Sequence, residues 1–208
     1  MVQNETKQAF IKVLSVTPDY MKAFWIATRN CYFKGTLIEL NGDYTPEKGY
    51  DLFKKIISLK HHSCLEHINF QISLEGISRS FMAQITRHRH VTFHISSQHY
   101  QDHSDYLYVR PKFINPKSDK LFTKIIEDIN SAYKQMLEYG EKHYIAREIL
   151  PNATSCKIIM SLNLRELRHI FKLREGPENT PEMQEVMKLL RMELYKVDSI
   201  FLWGLFND

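Results

Sequence analysis

Residues 87–100 read RHRHVTFHISSQHY. Two arginines and four histidines stand in these fourteen positions, beside the paired serines Ser96 and Ser97 and without an acidic side chain. Val91, Phe93 and Ile95 alternate with Thr92, His94 and Ser96, the period of a short strand. Residues 78–88 before it read as a helix, so Arg87, His88 and Arg89 fan out in different directions from a helix end. Planar guanidinium forks bind phosphate oxygens two at a time, and histidine adds a donor of tunable charge. The run reads as a grip for an extended polyanion such as a pyrophosphate. A solvated basic turn accounts for the same composition.

The surrounding chain is ordinary by comparison. It has 208 residues, 43% of them apolar and 25% charged, which fits one globular domain over 1–208 with a sizeable core. A net charge of +4 leans toward anionic ligands. The lysines are dispersed and the aromatics are not interleaved with the basic run, so no nucleic-acid partner is expected. Cys31, Cys64 and Cys156 are scattered and odd in number, which argues against a disulfide framework and fits a reducing compartment. The start, MVQNETKQAF, lacks the apolar run of a signal peptide, and no segment approaches a membrane span. A cytoplasmic protein with no membrane contact is the expectation.

Residues 9–16 read as a first strand. Thr17-Pro18-Asp19 predicts a helix start with Thr as N-cap and Pro at the first helical position. Thr45-Pro46-Glu47 repeats that signature ahead of a helix carrying Tyr50, Phe53, Ile56 and Ile57. Ser63 and Glu66 have the spacing of a capping box on a short helical turn. Ile68, Phe70, Ile72 and Leu74 then alternate with Asn69, Gln71, Ser73 and Glu75 as in a half-buried strand. Further helices are predicted over 118–147, from Asn163 to a stop at Gly176-Pro177, and from Thr180-Pro181-Glu182 through Phe201. A strand is predicted over 155–161. The mixture is α+β without βαβ alternation, and no glycine-rich loop supports a Rossmann fold or a P-loop.

Eight of the ten histidines fall between His61 and His103, which raises the question of a metal. His61, His62, Cys64, Glu66 and His67 are possible ligands, yet no HExxH or CxxC spacing is present and capping alone explains Glu66. No metal is expected. Ser96 and Ser97 lack the Gly-x-Ser-x-Gly elbow of a nucleophile and are read as hydroxyl donors to phosphate, or as plain turn residues. Arg174 closes its helix, where the helix dipole favours a cation in any case. Arg147, just before Leu150-Pro151, has the same structural explanation.

Taken together, these segments resemble the flavin-dependent thymidylate synthases, whose signature is R-H-R-x-x-S-x-N-x-x-S-x-R. Arg87, His88, Arg89, Ser97 and Tyr100 stand in register with it. HHSCLEH at 61–67, AREILP at 146–151, NLRELRHIFKLR at 163–174 and EMQ at 182–184 fall at the family's spacings, so the resemblance covers about residues 17–195. It implies a single α+β domain with a central, mostly antiparallel sheet flanked by helices. It also implies reductive methylation of dUMP at C5 to dTMP without an enzyme cysteine nucleophile, in a homotetramer with FAD between subunits. The carbon comes from 5,10-methylenetetrahydrofolate and NADPH is the reductant.

By position, the resemblance gives the FAD contacts as His61, Ser63, Arg87, His88, Arg89, Asn163, Arg165 and His169. The nucleotide contacts are Gln84, Arg87, Ser96, Ser97, Gln98, His99, Arg147 and Arg174, and Arg174 is the catalytic residue that polarises the uracil ring. The chain departs from the signature in three places. Thr92 replaces a serine and keeps the hydroxyl, and His94 replaces an asparagine. His99 replaces the final arginine, exchanging a bidentate cation for a shorter group. Gln98 also stands where a small residue is frequent. The flavin half of the motif is intact, and the expectation is retained FAD binding with altered nucleotide preference. UMP or dCMP as substrate, or a non-catalytic nucleic-acid-binding module, are the alternatives.

Overall fold

The computed structural model of the protein describes residues 8–206. The first seven residues of the start that lacks a signal-peptide pattern lie outside that range. Four strands form one sheet in the order β1-β2-β4-β3, with β1 at Phe10–Val16, β2 at Asn69–Ser78, β3 at Thr92–Ile95 and β4 at Ser155–Asn163. Pairing of Leu164 N–H with Ile68 C=O, and of Arg79 N–H with Thr154 C=O, makes β2 and β4 antiparallel. The architecture is α+β, as expected, with helices making up most of the chain.

Strand β2 follows its pattern closely. Ile68, Phe70, Ile72 and Leu74 are buried, whereas Asn69 and Gln71 are exposed, because successive side chains leave a strand on opposite faces. Helices α1 (Tyr20–Asn30), α2 (Leu37–Gly42), α3 (Pro46–Ser58) and the 3-10 turn His62–His67 lie between β1 and β2. Thr45 caps α3, accepting from Lys48 N–H at 3.3 Å. Thr36 and Glu39 complete a reciprocal capping box on α2.

Five sequence expectations are corrected. Thr17 does not cap α1, which begins at Tyr20 after Asp19 in the left-handed region. The Thr17 hydroxyl instead accepts from Asn69 N–H at 2.8 Å, so the start of β2 has taken it. The turn at 62–67 forms without a side-chain cap, because Glu66 turns away to pair with Arg165. The helix predicted over 118–147 is broken. Its first part, α5, is Pro116–Glu138, and Gly140 at φ 92° lets the chain reverse before α6, His143–Ala146. The last predicted helix is two: α8, Pro181–Val197, stops at the extended Asp198, and α9 runs Ser199–Phe206. Helix α4, Arg79–Ile85, is shorter than predicted and releases the chain before Arg87.

The described residues divide into two compact units. One comprises residues 8–10, 74–87 and 94–158, and the other 11–73, 88–93 and 159–206. The first holds a core of Tyr106, Tyr108 and Ile126 packed by Phe122, Leu150 and Ala153.

The second is centred on aromatic contacts. Phe201 of α9 lies 4.9 Å from Tyr20 and 5.0 Å edge-on from Phe70. Gly204 rests against the Phe53 ring, where a Cβ would sit 2.7 Å from Cζ. At the α8–α9 break, Tyr20 and Tyr50 both donate to Asp198 Oδ2, at 2.7 and 2.5 Å, while Ile200 N–H donates to Oδ1. Burial opposes the Asp198 charge, but these donors outweigh it and hold the carboxyl below its usual range. Burial and the adjacent Asp198 push Tyr20 well above the usual phenol range.

Candidate active site

Helix α7, Leu164–Arg174, organises the second unit. Asn163 caps it by accepting from Glu166 N–H at 2.9 Å. Glu166, Ile170 and Arg174 recur every four residues and so share a face. Glu166 and Arg174 are two turns apart, about 12 Å along the axis. One imidazole bridges them. His88 Nδ1 lies 3.1 Å from Glu166 Oε1, and Arg174 Nε donates to His88 Nε2 at 3.2 Å.

Arginine Nε–H can only donate, so His88 Nε2 accepts and the ring proton sits on Nδ1, facing the carboxylate. His88 is 5% exposed and Glu166 7%. Burial, with Arg174 adding to it, lowers the His88 pKa against the opposing pull of Glu166. The ring is neutral at pH 7.

His169 approaches His88 edge-on, ring centroids 5.7 Å apart. Potential ligand atoms of His88, Glu166 and His169 lie within 4.8 Å of one another. That donor set does not suit a cation. The Nε2 lone pair of His88 is engaged by Arg174, its Nδ1 bears a proton, and the guanidinium itself repels a metal ion.

The outer face of α7 opens on a cleft of ≈ 540 Å³, whose lining includes His62, Arg165, Arg168, His169 and Lys172 together with Phe171, Leu205 and Phe206. Arg165 pairs with Glu66, and Arg168 donates to the Gly204 carbonyl. Glu175, the acidic residue of the lining, is paired with Arg191, whose guanidinium stacks 4.0 Å from the Phe206 ring centroid. A basic floor with an aromatic and aliphatic wall fits an anionic ligand with an extended apolar ring system. Phosphate oxygens would meet the basic donors and a flat ring system the apolar wall.

Of the expected FAD contacts, Arg165 and His169 line this cleft. His61, just before the 3-10 turn, and Ser63 within it are exposed, Arg89 is exposed, and Asn163 is half-buried at the helix cap. Arg87, in the first unit, is exposed as well. His88 differs from all of these, since both its ring nitrogens bond within the chain. His62, Arg168 and Lys172 line the cleft without having been anticipated. The signal was present: basic residues at 165, 168, 169 and 172 follow the helical period and form one stripe.

The nucleotide half of the motif belongs to the first unit. Ser96 ends β3 by donating its N–H to Lys157 C=O and accepting from Lys157 N–H through its hydroxyl. Arg79 Nη2 donates to Ser96 C=O at 2.8 Å, a further cation beside the paired serines. Ser97 Oγ accepts from His99 N–H at 3.0 Å, making a tight turn that includes Gln98. The His99 ring stacks on Tyr144 at 5.1 Å and 19°, with Tyr100 edge-on at 4.7 Å. Arg147, one turn beyond Tyr144, contacts Glu148 at 3.3 Å. Gln84 is half-buried on α4.

A family model described as "Thymidylate synthase complementing protein" matches residues 12–198. The flavin-dependent thymidylate synthase of Nitratidesulfovibrio vulgaris is 33% identical over 179 residues, covering 79% of this chain and 73% of that protein. The enzyme of the same name from Haloarcula marismortui is 30% identical over 213 residues, covering 85% and 86%. Among solved structures, thymidylate synthase X from Helicobacter pylori with FAD and dUMP superposes with a TM-score of 0.75 at 20% identity. That likeness, one of fold, covers 96% of this chain and 100% of the other. The matched span contains the signature run, the α7 stripe and Arg174, and the chain belongs to the thymidylate synthase complementing protein family, that of the flavin-dependent thymidylate synthases.

Proposed function

We propose that the protein catalyses the flavin-dependent reductive methylation of dUMP at C5, giving dTMP. The methylene carbon of 5,10-methylenetetrahydrofolate forms a new bond to C5, the C5 proton leaves, and NADPH supplies the two electrons by way of the flavin. FAD, when bound, carries that hydride. The observation that carries the reading is Arg174, held by a buried histidine in a chain whose family match spans 12–198.

Each residue has a role in this reading. Arg165 and His169, with Arg168 and Lys172 beside them, bind the anionic parts of FAD, and Arg87, Arg89, His61, Ser63 and Asn163 complete its contacts. His88 contributes by holding Arg174. Ser96, Ser97, Gln98, His99, Gln84, Arg87 and Arg147 hold the nucleotide, the hydroxyls and guanidinium groups taking the monophosphate. Arg174 faces the pyrimidine and stabilises negative charge as it develops on the ring. In this reading no cysteine acts as nucleophile; of the three, Cys156 is buried, Cys64 half-buried and Cys31 exposed.

A cytoplasmic homotetramer completes the proposal. Among the described residues, no helix is long and apolar enough to cross a membrane. The test is reconstitution with FAD, NADPH and methylenetetrahydrofolate, supplying dUMP, UMP and dCMP in parallel, with Arg174→Ala as control. Formation of dTMP that depends on flavin and on Arg174 is expected. Product from UMP or dCMP alone would move the substrate assignment, and no methylated product from any of the three would overturn the proposal. Light scattering giving a monomer would remove the tetramer.

A further inference from the structure

We infer that Glu166 is a positioning residue for the reaction: through His88 it fixes the direction of the Arg174 guanidinium. The inference rests on the reading of Arg174 as the group that meets the pyrimidine. Its basis is the geometry of three side chains. Glu166 Oε1 stands 3.1 Å from His88 Nδ1, and Arg174 Nε stands 3.2 Å from His88 Nε2. The carboxyl and the imidazole are both buried.

A neutral imidazole has one proton to place on either of two nitrogens. With that proton on Nε2, two N–H groups would oppose each other at the Arg174 contact, and a buried carboxylate would face a lone pair. Glu166 excludes this arrangement, because a buried acceptor beside Nδ1 is satisfied only by Nδ1–H. The lone pair then points at Arg174, whose Nε–H is directed along one line and whose terminal nitrogens are thereby aimed. A flexible side chain becomes a preorganised cation, which spares reorganisation when charge develops. Burial of the Glu166 carboxyl at the third position of α7 is not needed for capping, since Asn163 already accepts the Glu166 N–H.

The experiment is a double-mutant cycle on flavin-loaded protein with kcat and KM for dUMP as readouts. In Glu166→Gln the amide NH₂ can face Nδ1 and reverse the tautomer. Misdirection of a catalytic group by ~1 Å costs about 100-fold, and a drop of that order in kcat is expected with flavin content and melting temperature unchanged. In His88→Gln an amide oxygen replaces the Nε2 acceptor and has no tautomer to choose. Adding Glu166→Gln to that background should then change kcat by less than about threefold, because residues acting through one another are not additive. Effects that multiply across the two variants would overturn the inference.

A second measurement is independent of folding of the variants. Histidine-selective ¹⁵N NMR of the unsubstituted protein should show His88 as the Nδ1–H tautomer, and an Nε2–H signal overturns the inference. The two readings fail differently. Full activity in Arg174→Ala removes the role of Arg174 and its dependent, whereas an inactive Arg174→Ala beside a fully active Glu166→Gln removes Glu166 alone.

Discussion

Replacing His99 by arginine returns the residue type that ends the family signature, and its energetic effect can be worked from the structure. His99 is exposed on a turn closed by its own N–H to Ser97 Oγ. Its ring lies flat on Tyr144, 5.1 Å away. Removing an aromatic stack costs roughly 0.5–1.5 kcal/mol, the lower end applying to so exposed a ring. A guanidinium recovers part of it by stacking on the same tyrosine. Against this, a charge-assisted bond to a phosphate contributes about 1.5–3 kcal/mol, again at the lower end for an exposed site. The net is about 1 kcal/mol in favour of His99→Arg, or roughly fivefold in affinity.

Calorimetric titration of flavin-loaded protein with dUMP should therefore give a Kd about fivefold tighter for His99→Arg, with a gain that shrinks as salt is raised. His99→Phe, which keeps the stack without a cation, should not tighten binding. A Kd in His99→Arg that is unchanged or weaker, or a gain indifferent to salt, would refute the assignment of this turn to the nucleotide phosphate.

Three further outcomes follow from the geometry. Asp198→Ala removes the acceptor for Tyr20, Tyr50 and the Ile200 N–H, and urea unfolding should show a loss of about 2–4 kcal/mol. Because the folded Asp198 pKa is depressed, its contribution is fully present above the unfolded value near 3.9 and fades as pH falls through the lower folded value. The alanine variant should lack that part of the acid sensitivity. Phe201→Ala vacates a fully buried site between Tyr20 and Phe70 and should cost about 3–5 kcal/mol by the same measurement. Arg165→Ala combined with His169→Ala should deplete the visible absorbance of bound flavin. Loss of the exposed Arg165–Glu66 pair should change stability by less than about 1 kcal/mol.

Much of this fold is written locally. The alternation at 68–75 and the Thr-Pro-Glu starts at 45 and 180 need only their own neighbours, and the structure reproduces them. Thr36 and Glu39 carry a capping box equally readable, although no helix was expected there. At three of the corrected places a distant group has taken the local one. Asn69 claims the Thr17 hydroxyl, Arg165 claims Glu66, and the two tyrosines hold Asp198 where α8 was expected to continue. The site divides in the same way. The basic stripe of α7 and the signature arginines are legible from spacing. The role of Glu166 is not, because its partner His88 lies 78 residues away in sequence and a glutamate three residues after Asn163 reads from sequence as an ordinary helix start.

The span from Glu166 to Arg174 has a consequence for how this chain can vary. A single imidazole of fixed width touches both ends of two helical turns, so α7 serves as a gauge whose length is checked at its termini. One residue inserted or deleted between them rotates Arg174 by about 100° relative to Glu166 and shifts it by about 1.5 Å. No rotamer of His88 can follow that change while keeping both contacts. A change of residue count between Glu166 and Arg174 therefore parts two groups that one ring, from a different part of the chain, now joins.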